Sequence, residues 1–313
     1  MDFVERELID WAVFWVVVAI LFYIDLYISE RRTGRITLKT SLIWSAVWIG
    51  TALLFNVFLY FDLGKQKALE FLTGYIIEKS LSVDNLFVFL LIFQVMNVKP
   101  ENQPHVLKWG ILSAIVFRII FIIAGVGLIN LFEPVIYIFA LILLYASYKM
   151  AFGGEQKIDV EHNWLVKLAS KYLSFAPEYK GNKFFIIKGG KNYATTMFIT
   201  FLLIESSDIV FAVDSIPAII AITKDTFIII SSNIFAILGL RALYFALAEI
   251  VDLFIYLKYG VAIILFYVGV KMMISEWYHI PTEISLIVIL VLLVGSVILS
   301  LMHKKKKLGE EAQ

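Results

Sequence analysis

The chain has 313 residues, 61% of them apolar, no cysteine and a formal net charge of +1. Soluble domains are nearer half apolar, so this composition points to a membrane rather than to an ordinary soluble fold. The missing thiols exclude disulfides, thiolate metal sites and thiol redox chemistry by this chain alone, and the near-zero charge argues against a nucleic-acid partner.

A membrane-spanning helix needs about 20 mostly apolar residues. Nine stretches qualify, at 9–28, 38–60, 70–95, 108–130, 134–152, 193–222, 227–248, 257–275 and 283–302. The pattern predicts an all-α polytopic membrane protein of about nine transmembrane helices. Asp2, Glu5, Glu7 and Asp10 stand where a signal peptide carries its basic residues, so the first stretch is read as a retained helix. Trp11, Trp15, Trp44, Trp48, Trp109, Trp164 and Trp277 fall mainly near span ends, as an aromatic belt requires.

Basic residues set the orientation. Arg31, Arg32, Arg35 and Lys39 follow the first span; Lys157, Lys167, Lys171, Lys180, Lys183, Lys188 and Lys191 fill 153–192; Lys304 to Lys307 form the tail. The alternate loops, 61–69, 131–133, 223–226 and 276–282, are short and poor in Lys and Arg. Nine spans place all the basic segments on the cytoplasmic side, with the N-terminus outside and the C-terminus inside. Within 153–192, Trp164, Leu165, Leu168, Ala169 and Tyr172 are spaced as one face of a short interfacial helix.

The spans on either side of that loop repeat. Asp84, Arg118, Tyr145 and Lys149 are separated by 34, 27 and 4 residues; Asp208, Arg241, Tyr267 and Lys271 by 33, 26 and 4. Each half holds three spans, an odd number, so the halves insert with opposite topology, a common transporter plan. The organisation is then two N-terminal helices (1–65), a first repeat (66–152), a cytoplasmic loop (153–192), a second repeat (193–275) and a final helix with a basic tail (276–313). A second alignment of the acids, Val-Asp-Asn-Leu (83–86) on Val-Asp-Ser-Ile (213–216), shifts the register by six residues, and the sequence leaves both open.

Five acids lie inside spans: Glu78 and Asp84 in the third, Glu205, Asp208 and Asp214 in the sixth. A carboxylate at mid-membrane costs roughly 2.5–3.5 kcal/mol on insertion scales, so such residues mark function by default. Glu205 and Asp208 share a helix face, as do Glu78, Ser82 and Asn85. Asp214 points elsewhere on an unbroken helix, and Pro217 offers a break that would redirect it. With Ser215 nearby the ligand set is all oxygen, which suits magnesium, calcium or manganese. Arg118 and Arg241 read as counter-ions that stabilise the empty site, Asp25 as an interfacial ion-pair partner, Tyr145 and Tyr267 as packing residues, and Lys149 and Lys271 as snorkelling to opposite faces. His105, His162, His279 and His303 fall in loops or at span ends. No dinucleotide fingerprint, haem motif or thiol pair is present, so neither an enzyme nor a permanently bound cofactor is expected.

Glu-Lys-Ser-Leu-Ser-Val-Asp-Asn-Leu-Phe-Val-Phe (78–89) with Glu-Ser-Ser-Asp-Ile-Val-Phe-Ala-Val-Asp-Ser-Ile-Pro-Ala-Ile (205–219) resembles the TerC family of integral membrane proteins. Leu-Ile-Trp-Ser-Ala-Val-Trp-Ile (42–49) and 68–85 resemble its bacterial Alx subgroup. The resemblance implies a lysine-exporter-like fold, a bacterial inner-membrane location, and manganese export as the activity, with Mn2+ as cargo held by Glu78, Asp84, Glu205, Asp208 and Asp214. Protons are the expected counter-ion, since gathered acids compete to stay ionised. The competing expectation is a subunit of a membrane assembly or stress complex, including a redox-modulator role, in which the acids only hold helices together.

Overall fold

A computed structural model of the chain describes residues 3–30, 37–153, 159–160, 163–176, 178–250, 256–275, 277–278 and 280–311. The side chains of 3–9, 26–30, Asp84 and 304–311 lie outside that description, as do Arg31, Arg32, Arg35, Lys157, His162, Pro177 and His279. The described residues form eleven helices and one small sheet: α1 (Phe3–Glu30), α2 (Leu38–Asp62), α3 (Lys65–Val95), α4 (Gln103–Leu131), α5 (Val135–Phe152), α6 (Trp164–Ser170), β1 (Ser174–Phe175), β2 (Phe185–Lys188), β3 (Lys191–Ala194), α7 (Thr196–Ile220), α8 (Thr226–Ile237), α9 (Leu240–Ile250), α10 (Leu257–Met273) and α11 (Thr282–Glu311). Among the described residues, α2, α4, α5, α7 and α11 are long and apolar enough to cross a membrane, and α8 with α9 makes a sixth if the bent pair is one span. The protein is an all-α polytopic membrane protein.

The helices fall where hydropathy predicts, with one correction. Residues 227–248 do not form one rod: α8 and α9 meet at an angle of 48°. Gly239 makes the break with φ of +77°, a conformation other residues adopt at a cost. Trp48 of α2 packs against the bend, so that a β-carbon on Gly239 would stand 2.5 Å from its ring. Lys79 Nζ donates to the carbonyls of Ala236 (3.0 Å) and Leu238 (3.3 Å), which flank the break. A buried carbonyl without a partner would be costly, and the ammonium supplies that partner.

Pro217 does not break α7, which runs unbroken to Ile220. The proline lies in the last turn and a half, where a single missing N–H is tolerated. The loop between α5 and α7 carries α6 and the sheet, ordered β1-β3-β2. The sheet was not expected. β2 and β3 are antiparallel, joined by Gly189-Gly190 at φ of +56° and +77°. A two-residue turn with positive φ at both positions matches the twist of a hairpin. On α6, Leu165, Val166 and Ala169 face inward, while Trp164 and Leu168, and Tyr172 just past the helix, are exposed, so the inward face is rotated from the one the spacing predicts.

The core is a sandwich of these helices. α3 packs against α7 and α8, α4 against α7 and α8, and α5 along α10. Small residues allow the close approaches, as in other membrane bundles. Gly74 of α3 faces Ser232 of α8, and Gly110 of α4 faces Ile204 and Glu205 of α7. Between α5 and α10, Ser147 Oγ donates to the Ala262 carbonyl at 2.8 Å, and Gly269 lies against the Ala140 carbonyl. Phe14 of α1, Phe55 of α2, Phe71 of α3 and Phe235 of α8 form an aromatic cluster that seats the two N-terminal helices.

Candidate functional site

α3, α4 and α7 bring charged side chains together in the middle of the bundle. Glu78 is fully buried and ion-paired with Arg118 of α4, itself 4% exposed. Arg118 also donates to Asn233 Oδ1 of α8 at 3.1 Å, and Asn233 donates to the Ile229 carbonyl at 3.0 Å. Asp208 of α7 lies within electrostatic reach of both Arg118 and Glu78. Arg118 is therefore paired with one carboxylate and acts electrostatically on another, on a different helix.

Glu205 is buried without such compensation. It is 2% exposed, and neither carboxylate oxygen has a hydrogen-bond partner among the described residues. Ser113 approaches it, but that hydroxyl is directed to the carbonyls of Trp109 (2.7 Å) and Gly110 (3.1 Å). Glu78 Oε2 and the hydroxyls of Ser82 and Ser215 are likewise buried and unpartnered. Asn85 is buried near Ser82 on α3. An orphaned buried polar group is uncommon and calls for an explanation in ligand binding or in a second conformation.

The sequence-predicted residues do not all converge. Asp214 is half-buried, and the charge that acts on it is Lys149 of α5, because α7 is unbroken and six residues turn Asp214 away from Asp208. Among the described residues no three His, Asp or Glu side chains are gathered closely enough to hold a metal ion; Asp84 has its backbone in α3 and its side chain outside the description.

Arg241 does not neutralise the acid motif. It donates to Asp25 of α1, through Oδ2 at 2.7 Å and through the backbone carbonyl. Both residues are buried, so Asp25 holds α1 to α9 inside the bundle rather than at its edge. Lys79 lies within electrostatic reach of both Asp25 and Glu78 and links the two ion pairs. Lys271 does not snorkel: it is 7% exposed and donates to Ser285 of α11 at 2.8 Å, and Tyr267 reaches the same hydroxyl at 3.1 Å. Lys149 and Tyr145 are exposed. Of the histidines in the description, His105 stacks obliquely on Phe184 and His303 lies 3.2 Å from the Tyr256 hydroxyl.

Two participants escaped the reading of the sequence. Asn233 lies in Ser-Ser-Asn (231–233), three polar residues that are fully buried in α8. Uncharged polar residues in an apolar span are the signal that would have found it. Asn163, in the loop, donates to Ser206 Oγ at 2.7 Å and so touches the acid motif itself; its tertiary contact leaves no mark in local periodicity.

The TerC family model, described as "Integral membrane protein TerC family", matches residues 63–308. A Rickettsia felis "Uncharacterized membrane protein" is 42% identical over 295 residues, covering 94% of this chain and 98% of that protein. A Rickettsia bellii protein described in the same words is 40% identical over 295 residues with the same coverage. The Escherichia coli (strain K12) "Putative membrane-bound redox modulator Alx" is 44% identical over 299 residues, 93% of each chain. No solved structure matches. The family match spans the helices that carry Glu78, Arg118, Glu205 and Asp208, and with these relatives it establishes that the chain belongs to the TerC family of integral membrane proteins.

Proposed function

We propose that the protein is a secondary transporter, not an enzyme, that exports divalent manganese from the cytoplasm of a bacterial cell across its inner membrane. It needs no permanently bound cofactor; calcium or magnesium are the competing cargoes for an all-oxygen site. The observation that carries this reading is that Glu78 and Asp208, on two helices, both feel the charge of Arg118, which is ion-paired with Glu78, beside an uncompensated Glu205. A single arginine holds the place of a cation. A dication entering between Glu78 and Asp208 would release Arg118 toward Asn233, which already accepts from it. Unloading would restore the ion pair. Protons are the proposed counter-ion, taken up by the emptied carboxylates.

An inverted-repeat frame of nine spans, with the N-terminus outside and the C-terminus in the cytoplasm, supports the reading. Exchanging α3–α5 with α7–α10 carries the α3–α8 packing onto α7–α4 and leaves α5–α10 in place. Individual contacts follow: Ser147 on Ala262 corresponds to Gly269 on Ala140, both at a shift of 122 residues. Gly74 on Ser232 corresponds to Ile204 on Gly110, with 74 matched to 204 and 110 to 232. That correspondence favours the alignment of Glu78 with Asp208 and of Asp84 with Asp214. The two carboxylates that Arg118 acts on then become equivalent positions of the two halves, where such transporters bind their cargo.

The relative named as a redox modulator suggests a different role, but this chain has no thiol to carry it. The deciding experiment is Asp208→Asn in cells lacking other manganese exporters. The amide keeps shape and one oxygen but removes charge, so protection against excess manganese should fall at least tenfold while the protein inserts at wild-type abundance. Full protection at equal abundance would remove Asp208 from the site. Reduced abundance with normal activity per folded molecule would favour the assembly role.

A further inference from the structure

The acid motif of α7 is covered from the loop side by an element that is weakly held. α6 has seven residues and none is fully buried. A helix this short does not persist alone in water. Asn163 holds it at both ends of one side chain. Its Oδ1 accepts from the Leu165 and Val166 N–H groups at 3.1 Å, capping the helix, and its Nδ2 donates to Ser206 Oγ. Ser206 sends its own proton to the Leu203 carbonyl at 2.8 Å, so it is available to Asn163 only as an acceptor. It follows Glu205 directly and precedes Asp208 by two residues.

The rest of the loop spans the same end of the bundle. Tyr179 donates to the Met96 carbonyl where α3 ends, and partial burial raises its phenol above the ordinary value. The Glu178 carbonyl accepts from the Thr196 amide at the start of α7, at 3.3 Å. At the opposite end of the bundle a cavity of 780 Å³ lies among Lys67, Glu70, Glu133, Thr223, Asp225 and Lys271. The loop lies at one end of the bundle and this cavity at the other.

We propose that α6 is a gate over the loop-side entrance to the acid site, latched by the Asn163–Ser206 hydrogen bond and opened when α6 lifts from α7. It rests on the transporter reading for its purpose, while the labelling arm of its test does not. Few buried contacts and a single side-chain latch are the properties of a segment that opens at low free energy. The gate names a step that cargo must pass and a residue, Asn163, that governs it from outside the spans.

The absence of native cysteine makes the test direct. Ser207→Cys, beside the latch but outside it, is placed in the full-length protein in inside-out membrane vesicles, and a membrane-impermeant maleimide is added. A second variant adds Asn163→Ser, which still caps a helix but is too short to reach α7. The thiol should react at least tenfold faster when Asn163→Ser is present; equal rates would overturn the gate. Asn163→Cys with Ser206→Cys is then joined by a short bifunctional maleimide in one sample and by a reducible thiol cross-linker in another. Manganese uptake by these vesicles should fall below a tenth in both and return only in the reducible sample after reductant. Undiminished uptake in the joined protein would also overturn the gate. Vesicles that show the labelling difference but take up no manganese in any form would retain the gate and refute the transporter reading.

Discussion

Gly239 illustrates how one side chain, or its absence, sets a longer-range geometry. Its φ of +77° and the Trp48 ring 2.5 Å from any β-carbon leave no room for alanine. Gly239→Ala should lower thermal stability of the detergent-solubilised protein by about 1–3 kcal/mol through overpacking, plus backbone strain on the order of 1 kcal/mol. Adding Trp48→Ala should recover the first part and not the second; no recovery would place the strain elsewhere. Intramembrane charge was legible from the sequence because ionisable residues stand out against apolar spans, which is how Glu78, Arg118, Glu205 and Asp208 were found. Partnership was not legible. Arg241 and Asp25 are 216 positions apart, and nothing local distinguishes an arginine that neutralises the acid motif from one that anchors α1.

At the level of elements, the broken rod of α8 and α9 depends on Lys79. Lys79→Met keeps most of the unbranched side chain and removes the ammonium. The Ala236 and Leu238 carbonyls would lose their donor, at about 1–3 kcal/mol for an unsatisfied buried group. Hydrogen exchange at the N–H groups of 238–242 should rise at least tenfold while α5 and α10 stay protected; unchanged exchange would show that the break is held without the lysine. Helix positions were legible because 20-residue apolar runs have few other uses. The break was not, because Ile-Leu-Gly-Leu (237–240) is as apolar as its neighbours and a lone glycine is tolerated in many helices. Pro217 misled in the opposite direction: a proline predicts a break, but in the last turns of α7 it removes a single hydrogen bond. The hairpin of β2 and β3 was not legible because Gly189-Gly190 marks a turn in the sequence without showing that the short segments on either side pair as strands.

For the whole molecule, the orientation is the claim most open to direct measurement. Single cysteines introduced at Lys183 and Lys224 should react with impermeant reagents from opposite sides of the membrane, Lys183 from the cytoplasm and Lys224 from outside; reaction from one side would overturn the nine-span frame. The bundle also has a seam that the family boundary conceals. The match to TerC begins at residue 63, after α2 has ended, yet Asp25 and Trp48 lie before it. Asp25 is the counter-charge of a buried arginine and Trp48 is the wall against which α9 turns. The N-terminal pair is therefore a part of the bundle cut to fit. Chimeras that exchange the first two helices between relatives should assemble only when the donor supplies an acid and a large aromatic at these two places. An otherwise dissimilar donor that supplies both should suffice, so the limits of a transplantable unit follow an ion pair and an indole rather than the edge of an alignment.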